Sequence, residues 1–309
     1  MKMISEFNDH DHIEGQFLLG SVSKGVNTVG GSYFSVELRD ASGAITAKKW
    51  DATLADEQIF VSGNVINVIG ETNRYKDALQ LKILSAELVP LADIDIVKLV
   101  KSAPIPKETL VTKFNSYVSS IKNEDCQKLI QFMVKKFGDK IFNYPAAVSI
   151  HHEYNSGLLM HSLTMADIAE TLCPIYEADR DLVITGCLLH DLGKILELEG
   201  PIVYKYSIEG KLLGHISIMC AEIREAAHEL KLQSEVPLLL EHMVLSHHGQ
   251  QEFGSPVMPL TKEALLLSLI DNLDSKMVVV NKAIQDLEPG SFSQKVFPLD
   301  NRSFYKPKK

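Results

Sequence analysis

The segment LVITGCLLHDLGKILEL, residues 182–198, places an imidazole, a carboxylate and an ammonium group close together after an apolar run. The run leads directly into His190 and Asp191, and Lys194 follows three residues later. Burying a charged or polar group costs free energy unless the group is paired. Three such groups in succession therefore indicate a functional site, provided that partners for them exist elsewhere in the chain.

Candidate partners lie in the neighbouring apolar segments. They share hydrophobic flanks, and they are His161, His215, His247, His248 and Asp271. A single buried histidine or aspartate is usually a hydrogen-bonded core residue, but so many on consecutive helical segments favour a shared metal centre. The mixture of nitrogen and oxygen ligands suits Mn, Fe, Co, Ni or Zn better than Ca or Mg.

The segments that carry these residues have helical periodicity. Between residue 108 and about residue 285, apolar residues recur at the spacing of amphipathic helices. The predicted helices are DCQKLIQFMVKKFG, LLMHSLTMADIAETL, DLVITGCLLHDLGKIL, ISIMCAEIREAAHEL and KEALLLSLIDNLDSKM. If the third is continuous, Lys194 lies one turn from Asp191.

The N-terminal part of the chain has the periodicity of β-strands. Its β-rich runs are QFLLGSVSK, SYFSVELRD, AITAKKW, IFVSGNVINVIGE and DALQLKILSAELV. In the second run Phe34, Val36 and Leu38 alternate with polar residues, and the following Asp40–Gly43 has the composition of a turn. Five strands in a segment of this length favour a small closed barrel of the OB type.

The polar side of this barrel combines cations with aromatic rings. The candidate nucleic-acid contacts are Tyr33, Lys48, Lys49, Trp50, Arg74, Tyr75 and Lys76. Cations can follow the phosphates of a single strand while the rings stack on its bases. An ordinary solvated barrel face with a few packed rings explains the composition equally well.

The composition is that of a globular chain long enough for two domains. Of the 309 residues 45% are hydrophobic, and the net charge of −9 excludes a global basic field. Four scattered cysteines without a CxxC pair favour reduced core residues of a cytoplasmic protein. The polar N-terminus is unlike a signal peptide, and no apolar run predicts a membrane span or a membrane partner.

The periodicities predict a multidomain fold, all-β and then all-α. An OB-type domain is expected over residues 12–90 and a proline-containing connector with a short helix over residues 91–107. A helical domain is expected over residues 108–290, followed by a tail, residues 291–309, that ends in a basic cluster. The sequence leaves the oligomeric state open, a homo-oligomer included.

The order of the candidate ligands resembles the HD superfamily of metal-dependent phosphohydrolases. The whole chain resembles one family more closely, the YhaM-type 3′-to-5′ exoribonucleases, which join an N-terminal OB-fold to an HD domain. The resemblance rests on LRDASGAITAKKWD, YKDALQLKIL, HHEYNSGLLMHSL, CLLHDLGKILEL, GHISI, LSHHGQQEFGSPVMP and LDNRSFYKP.

The resemblance and the chemistry of the residues imply two divalent metal ions, with Mn²⁺ the first candidate. His161, His190, Asp191 and Asp271 would hold one ion; His215 with His247, His248 or both would hold the second, and Asp191 could bridge them. Two ions can activate a water molecule for attack on a phosphodiester. Lys194 would contact a nonbridging phosphate oxygen.

The implied reaction is the release of 5′ mononucleotides from the 3′ end of single-stranded RNA, with single-stranded DNA a second candidate substrate. One alternative is an HD-type hydrolase of nucleotides or cyclic nucleotides. HD enzymes that cleave cyclic dinucleotides often have a Glu, an Asp-Gly and a Gly-Tyr-Pro after the paired histidines. The segment HHGQQEFGSPVMP lacks them, which argues against a cyclic dinucleotide substrate. Another alternative is a non-catalytic protein that binds single-stranded nucleic acid.

Three-metal members of the superfamily carry a Glu where this chain has Gly157, so two ions are expected. His151 and His152 either line the substrate path or belong to a polar loop. Asp274 lies one turn from Asp271 and could orient a ligand. An exposed carboxylate is the stronger expectation for Asp274.

Overall fold

The computed structural model describes residues 2–28, 30–100, 104–144, 156–200, 204–250 and 254–308. The described residues up to 100 form one compact unit, and those from 104 onward form a second. The first unit is a closed five-stranded barrel and the second is predominantly helical. The predicted fold class, an OB-type barrel followed by a helical domain, is therefore confirmed.

The barrel strands pair in the order β1-β2-β3-β5-β4, and β4 returns to β1. Their bounds are β1 His12–Val26, β2 Ser32–Asp40, β3 Gly43–Lys49, β4 Val65–Tyr75 and β5 Ala78–Leu88. Neighbouring strands are antiparallel except for the parallel pair of β3 and β5. This closure leaves the long β1 paired along both of its sides.

The strand register follows the alternation of side chains. Phe34, Val36 and Leu38 are buried in the barrel core, whereas the residues between them are partly exposed. The turn after β2 forms because Asp40 Oδ1 accepts hydrogen bonds from the N–H groups of Ser42 at 2.7 Å and Gly43 at 3.1 Å. The predicted alternation and turn are both present.

The fourth predicted strand begins later than the sequence suggests. The run IFVSG lies outside β4, because the short helix α1, Asp56–Ile59, precedes a turn that leads into the strand. Part of the predicted connector packs with the barrel: α2, Ile96–Leu99, contributes Leu99 to a small apolar cluster with Leu18 and Val65. The exact domain boundaries stay predictions.

The second unit contains the helices that carry the candidate ligands. Its helices are α3 Lys107–Ser120, α4 Glu124–Phe137, α5 Lys140–Asn143, α6 Gly157–Tyr176, α7 Arg180–Leu189, α8 Lys194–Glu197, α9 Ile208–Glu229, α10 Val236–Ser246 and α11 Lys262–Ile284. A two-residue strand β6, Leu198–Glu199, pairs with β7, Lys205–Tyr206. One continuous apolar core joins α3, α4, α6, α7, α9, α10 and α11.

Local sequence signals set several helix ends. The side chain of Asp179 caps α7 by accepting from Leu182 N, and Thr261 caps α11 by accepting from Ala264 N. The predicted helix over residues 181–196 is not continuous, since α7 ends at Leu189 and α8 begins at Lys194. Gly214 has a φ of 71° and kinks α9, so that a new helical run starts at His215.

The described helices include none that is long and apolar enough to cross a membrane. The cysteine thiols of the chain are free, and Cys126, Cys173 and Cys187 are buried, as the sequence predicts for reduced core residues. After α11 the chain folds back on itself through isolated bridges between Phe292 and Tyr305 and between Val296 and Arg302.

Candidate functional site

The predicted ligands converge although they come from five separate stretches of chain. The breaks in the helices position them: His190 follows the last residue of α7, His215 follows the Gly214 kink, and His247 follows the last residue of α10. His161 and Asp271 lie within α6 and α11 and face the same place. A polar cluster is thus enclosed by apolar helices.

Asp191 lies at the centre of this cluster, and its two oxygens face different histidines. Oδ1 lies 3.4 Å from Nε2 of His215 and 3.9 Å from Nε2 of His247. Oδ2 lies 3.4 Å from Nε2 of His190 and 3.9 Å from Nε2 of His161. The carboxylate therefore separates two groups of imidazoles and is placed to serve both.

Several of the inward-facing atoms are buried without a hydrogen-bond partner among the described residues. They are Nε2 of His190, His215 and His247, Nδ1 of His248 and Oδ1 of Asp191. A buried polar atom without a partner is costly, and a cluster of such atoms around one carboxylate needs a shared partner. A metal ion is a partner that imidazole nitrogens and carboxylate oxygens can share.

In four of the five histidines, a hydrogen bond at Nδ1 fixes the orientation of the ring. Nδ1 of His190 lies 3.1 Å from the carbonyl oxygen of Cys187, and Nδ1 of His247 lies 2.7 Å from that of Val244. A carbonyl can only accept, so Nδ1 of each ring donates. Nε2 then carries the lone pair that a metal ligand needs.

Carboxylates play the same part for the rings of His161 and His215. Nδ1 of His161 lies 2.7 Å from Oδ2 of Asp274, and Nδ1 of His215 lies 3.1 Å from Oε1 of Glu197. A carboxylate that orients the far nitrogen of a histidine is a common support of metal-ligating rings. Asp274 is buried at 6% exposure, so the expectation of an exposed carboxylate there was wrong.

The electrostatics of the site favour anionic carboxylates. Burial alone would raise the pKa of Asp191, but Lys194 and the surrounding histidines outweigh it and hold the pKa well below its usual value. Burial is likewise outweighed at Asp271, mainly by His161, and the pKa of Asp271 is lowered. Both groups can therefore act as charged ligands.

The histidines fall into two electrostatic classes. Burial lowers the pKa of His247 well below its usual value and also lowers the pKa of His248, so both rings are neutral. Burial is outweighed at His161 by Asp271 and Asp274, which raise its pKa to about 10. A metal ion that binds His161 must displace that proton.

The donor atoms form two sets that fit a metal ion each. His161, His190 and Asp191 make one set, and His215, His247 and His248 make the other. Within each set, one donor atom per residue lies within 4.8 Å of the others. Asp271 adjoins the first set, because its Oδ1 lies 3.2 Å from Nε2 of His161.

Lys194 lies beside the first set. Its Nζ is 2.6 Å from Oδ2 of Asp191, although the turn between α7 and α8 interrupts the helix that was expected to bring them together. The side chain is 14% exposed and so reaches the edge of the cluster. Among the described lysines, Lys194 is the one whose ammonium group contacts a predicted metal ligand.

Two features of the site carry no clear signal in the sequence. Glu197 is buried and also accepts a hydrogen bond from the backbone N–H of His215 at 3.0 Å. Gly193 packs so closely that a Cβ there would lie 2.2 Å from the carbonyl oxygen of His215.

His151 and His152, which were predicted either to line the substrate path or to belong to a polar loop, lie outside the described residues.

The barrel brings most of its predicted contacts into one cluster, in which Tyr75 and Lys76 are exposed and the other members are half-buried. The rings of Tyr33 and Trp50 lie with centroids 5.0 Å apart, and Lys48 Nζ lies 5.5 Å and 5.2 Å from them. The same ammonium group is 6.0 Å from the ring of Tyr75, which Lys76 approaches at 5.6 Å. Cations and rings thus share one surface, as single-strand binding requires.

The remaining two predicted barrel contacts are engaged by backbone oxygens. Lys49 Nζ donates to the carbonyl of Trp50 at 3.1 Å, and Arg74 Nη1 donates to that of Asp77 at 3.3 Å. Both lie beside members of the cluster in sequence, and Arg74 is exposed. Among the described residues, neither side chain forms an ion pair.

A family model described as the HD domain matches residues 158–276, which span the candidate ligands. The 3′-5′ exoribonuclease YhaM of Geobacillus sp. strain WCH70 is 40% identical over 308 residues, covering 99% of this chain and 95% of that protein. The protein of the same name from Bacillus subtilis strain 168 is 41% identical over 299 residues, covering 96% and 95%.

Among solved structures, the second OB-fold domain of replication protein A from Methanococcus maripaludis matches 28% of this chain and 93% of that domain. The sequence identity is 19% and the TM-score is 0.25.

Proposed function

Because the chain belongs to the family of the YhaM 3′-5′ exoribonucleases, we propose that it removes nucleotides one at a time from the 3′ end of single-stranded RNA. Hydrolysis forms a bond between a water oxygen and phosphorus. It breaks the bond from phosphorus to the 3′ oxygen of the preceding nucleotide. The products are a 5′ mononucleotide and an RNA that is one nucleotide shorter.

The observation that carries the proposal is the position of Asp191 between two groups of histidines. One carboxylate oxygen faces His215 and His247, and the other faces His161 and His190. A carboxylate that bridges two ions is the arrangement expected of a two-metal phosphodiesterase. The buried, unpartnered nitrogens around it support this reading, because each would gain a partner.

We assign the first ion to His161, His190, Asp191 and Asp271 and the second to His215, His247 and His248, with Asp191 shared. Two divalent ions held in this way would generate a nucleophile from water and offset the negative charge of the phosphodiester. The mixed nitrogen and oxygen ligands favour Mn²⁺ or another first-row transition metal over Ca²⁺ and Mg²⁺.

The residues of the chain divide the remaining work. Glu197 and Asp274 orient the rings of His215 and His161 through their Nδ1 atoms. Lys194 is partly exposed at the edge of the cluster, and its ammonium group can turn from Asp191 to a nonbridging phosphate oxygen. There it would stabilise the charge that develops during attack.

The barrel cluster of Tyr33, Lys48, Trp50, Tyr75 and Lys76 would hold the single strand upstream of the 3′ end. Stacking on aromatic rings is tolerant of sequence, because every base has a π face. Such a surface suits an enzyme that must accept each nucleotide in turn. It accepts single-stranded DNA by the same contacts, so DNA is a further candidate substrate.

Product analysis tests the proposal directly. A 5′-labelled single-stranded RNA is incubated with metal-free protein and added Mn²⁺, beside Asp191→Ala and the exposed control Asp139→Ala. We expect a ladder that shortens from the 3′ end with wild type and with Asp139→Ala, and intact RNA with Asp191→Ala.

Each of the other outcomes would indicate a different function or a different site. Intact RNA in every lane, together with turnover of free nucleotides, would replace the proposal by a nucleotide hydrolase. Intact RNA with tight binding and no metal uptake would identify a non-catalytic binder. Cleavage that persists in Asp191→Ala would contradict the assigned metal centre but would still support the nuclease activity.

A further inference from the structure

The C-terminal tail of the helical unit is a folded hairpin with an unusual surface. Gly290 N donates to Lys306 O at 2.7 Å, and Ser293 N donates to Phe304 O at 2.8 Å. Leu299 at the tip is only 2% exposed. The segment is therefore ordered, and a ligand that binds it need not supply the free energy of ordering it.

Three aromatic side chains of this hairpin point into solvent. Phe292 is 65% exposed, Phe297 is 80% exposed and Tyr305 is 44% exposed. The rings of Phe292 and Tyr305 lie with centroids 5.0 Å apart, the same separation as Tyr33 and Trp50 on the barrel. Exposing so much aromatic surface in one short segment is unfavourable unless a partner covers it.

The charge of the tail is opposite to that of the chain. Residues 291–309 contain five basic residues and one acidic residue, whereas the whole chain carries −9. Lys295 is exposed, and Arg302 lies 5.8 Å from the ring of Phe304 while pairing with Asp300 at 3.3 Å. Lys306 donates to the carbonyl of Gln285 at 2.8 Å. In sequence, Lys295 lies between Phe292 and Phe297, and Lys306 follows Tyr305, so cations and rings share this short segment.

We propose that this hairpin, residues 290–308, is a second contact surface for single-stranded RNA, carried by the helical unit and not by the barrel. The inference rests on the proposed exoribonuclease function and extends it. A polyanion complements the local positive charge, and exposed flat rings complement unstacked bases. A purely apolar partner would leave Lys295 and Arg302 facing an uncharged surface.

The position of the hairpin on the helical unit sets the length of RNA that it can contact. Lys306 anchors it to Gln285, at the end of α11. Gln285 follows Asp271 by 14 residues along that helix, a distance of about 20 Å. A strand whose 3′ end lies at Asp271 can therefore contact the hairpin only through nucleotides further upstream. Long RNAs would use this surface and dinucleotides would not.

Binding by the intact chain tests the inference. The double variant Lys295→Ala/Phe297→Ala removes one cation and one ring whose side chains lie in solvent. Its matched control, Lys135→Ala/Tyr176→Ala, removes an exposed cation and an exposed ring elsewhere on the helical unit. Affinity for a 5′-labelled RNA of about 16 nucleotides, near the upper size of a single-strand site, is measured by fluorescence anisotropy in EDTA.

Loss of one stacked base corresponds to a weakening of about 5-fold to 150-fold. We expect that weakening for Lys295→Ala/Phe297→Ala, no change for the control, and unchanged turnover of a dinucleotide by all three proteins. As a second measurement, photo-crosslinking of RNA containing 4-thiouridine should label the peptide that spans residues 290–308 in wild type.

The outcomes separate this inference from the function on which it rests. Wild-type affinity in the double variant together with an unlabelled hairpin would overturn the inference, while the RNA ladder of wild type would still stand. If wild type neither bound nor shortened RNA, both would fall. An unlabelled hairpin, together with self-association of wild type in sedimentation equilibrium that Lys295→Ala/Phe297→Ala loses, would assign the exposed rings to a protein interface and overturn the RNA contact.

Discussion

Glu197 holds His215 at two points, with one oxygen 3.0 Å from its backbone nitrogen and 3.1 Å from its Nδ1 atom. These two hydrogen bonds fix the start of the second helical run of α9, after the Gly214 kink. They also leave Nε2 as the ring nitrogen that can bind a metal ion. Burial would raise the pKa of Glu197, but its contacts with His215 outweigh burial and lower it. The carboxylate is therefore charged when it orients the ring.

Replacing Glu197 with Gln should weaken metal binding without removing a ligand. The neutral amide accepts more weakly from Nδ1, so the orientation of His215 and the basicity of its Nε2 atom decrease. Loss of such a partner typically lowers metal affinity by about 10-fold to 100-fold. The Mn²⁺ concentration for half-maximal activity should rise accordingly, and activity should return at high Mn²⁺.

Glu199→Gln is the matched control, because Glu199 lies two residues further along and its side chain is 57% exposed. It should keep the wild-type Mn²⁺ dependence. A Glu197→Gln protein with the same dependence as wild type would show that the two hydrogen bonds contribute nothing to the metal centre.

Gly193→Ala should disturb the same part of the site through the backbone. The added Cβ would lie 2.2 Å from the carbonyl oxygen of His215, so α8 and α9 must separate. Overpacking of this kind costs about 1–3 kcal/mol. That cost corresponds to a Tm lower by about 2–12 °C for a unit of this size.

The control for this substitution is Gly43→Ala in the barrel, where a Cβ would meet only Ile4 at 3.9 Å. Thermal unfolding followed by circular dichroism at 222 nm reports the helical unit. Equal Tm values for Gly193→Ala and wild type would contradict the close approach of Gly193 to His215.

Metal removal should destabilise the helical unit. An ion that binds only the folded state stabilises it by about 2.7 kcal/mol at a concentration 100 times its Kd, which corresponds to a Tm higher by about 5–10 °C. Calorimetry with EDTA and with Mn²⁺ should show this shift in wild type and in Asp139→Ala. Asp191→Ala should lose it, because Asp191 faces both groups of histidines.

The sequence predicted the members of the cluster and raised Asp274 as an orienting residue, but it gave no indication of Glu197. Side-chain type and helical context were enough to select His161, His190 and Asp191, since buried ligands must interrupt apolar runs. Glu197 and Glu199 are two positions apart in one short segment, and the surrounding sequence does not indicate which of them faces the cluster. That choice depends on the packing of α8 against α9, which the structure supplies.

The backbone breaks were predicted less well than the helices themselves. The run from 181 to 196 has continuous helical periodicity, yet α7 ends at Leu189. The end of α7 allows Nδ1 of His190 to contact Cys187 O and frees Nε2 for the cluster. In the barrel, the apolar residues of IFVSG suggested a strand. Phe60 is instead buried in the barrel core from a position just after α1, outside any strand. An apolar residue can thus be buried without belonging to a strand.

Tyr75→Ala should separate RNA binding by the barrel from chemistry in the helical unit. Tyr75 is 54% exposed and approached by Lys48 and Lys76, so its removal deletes a stacking surface and leaves the barrel core intact. Loss of one stacked base costs about 1–3 kcal/mol. The KM for a long single-stranded RNA should therefore rise about 5-fold to 150-fold. The kcat should change little, because the reacting phosphodiester is bound by other residues. Leu84→Ala, a 44% exposed residue of β5 that serves as the control, should leave both constants unchanged. A fall in kcat with KM unchanged would mean that Tyr75 does not hold the substrate in the ground state, and the barrel cluster would lose its assigned role.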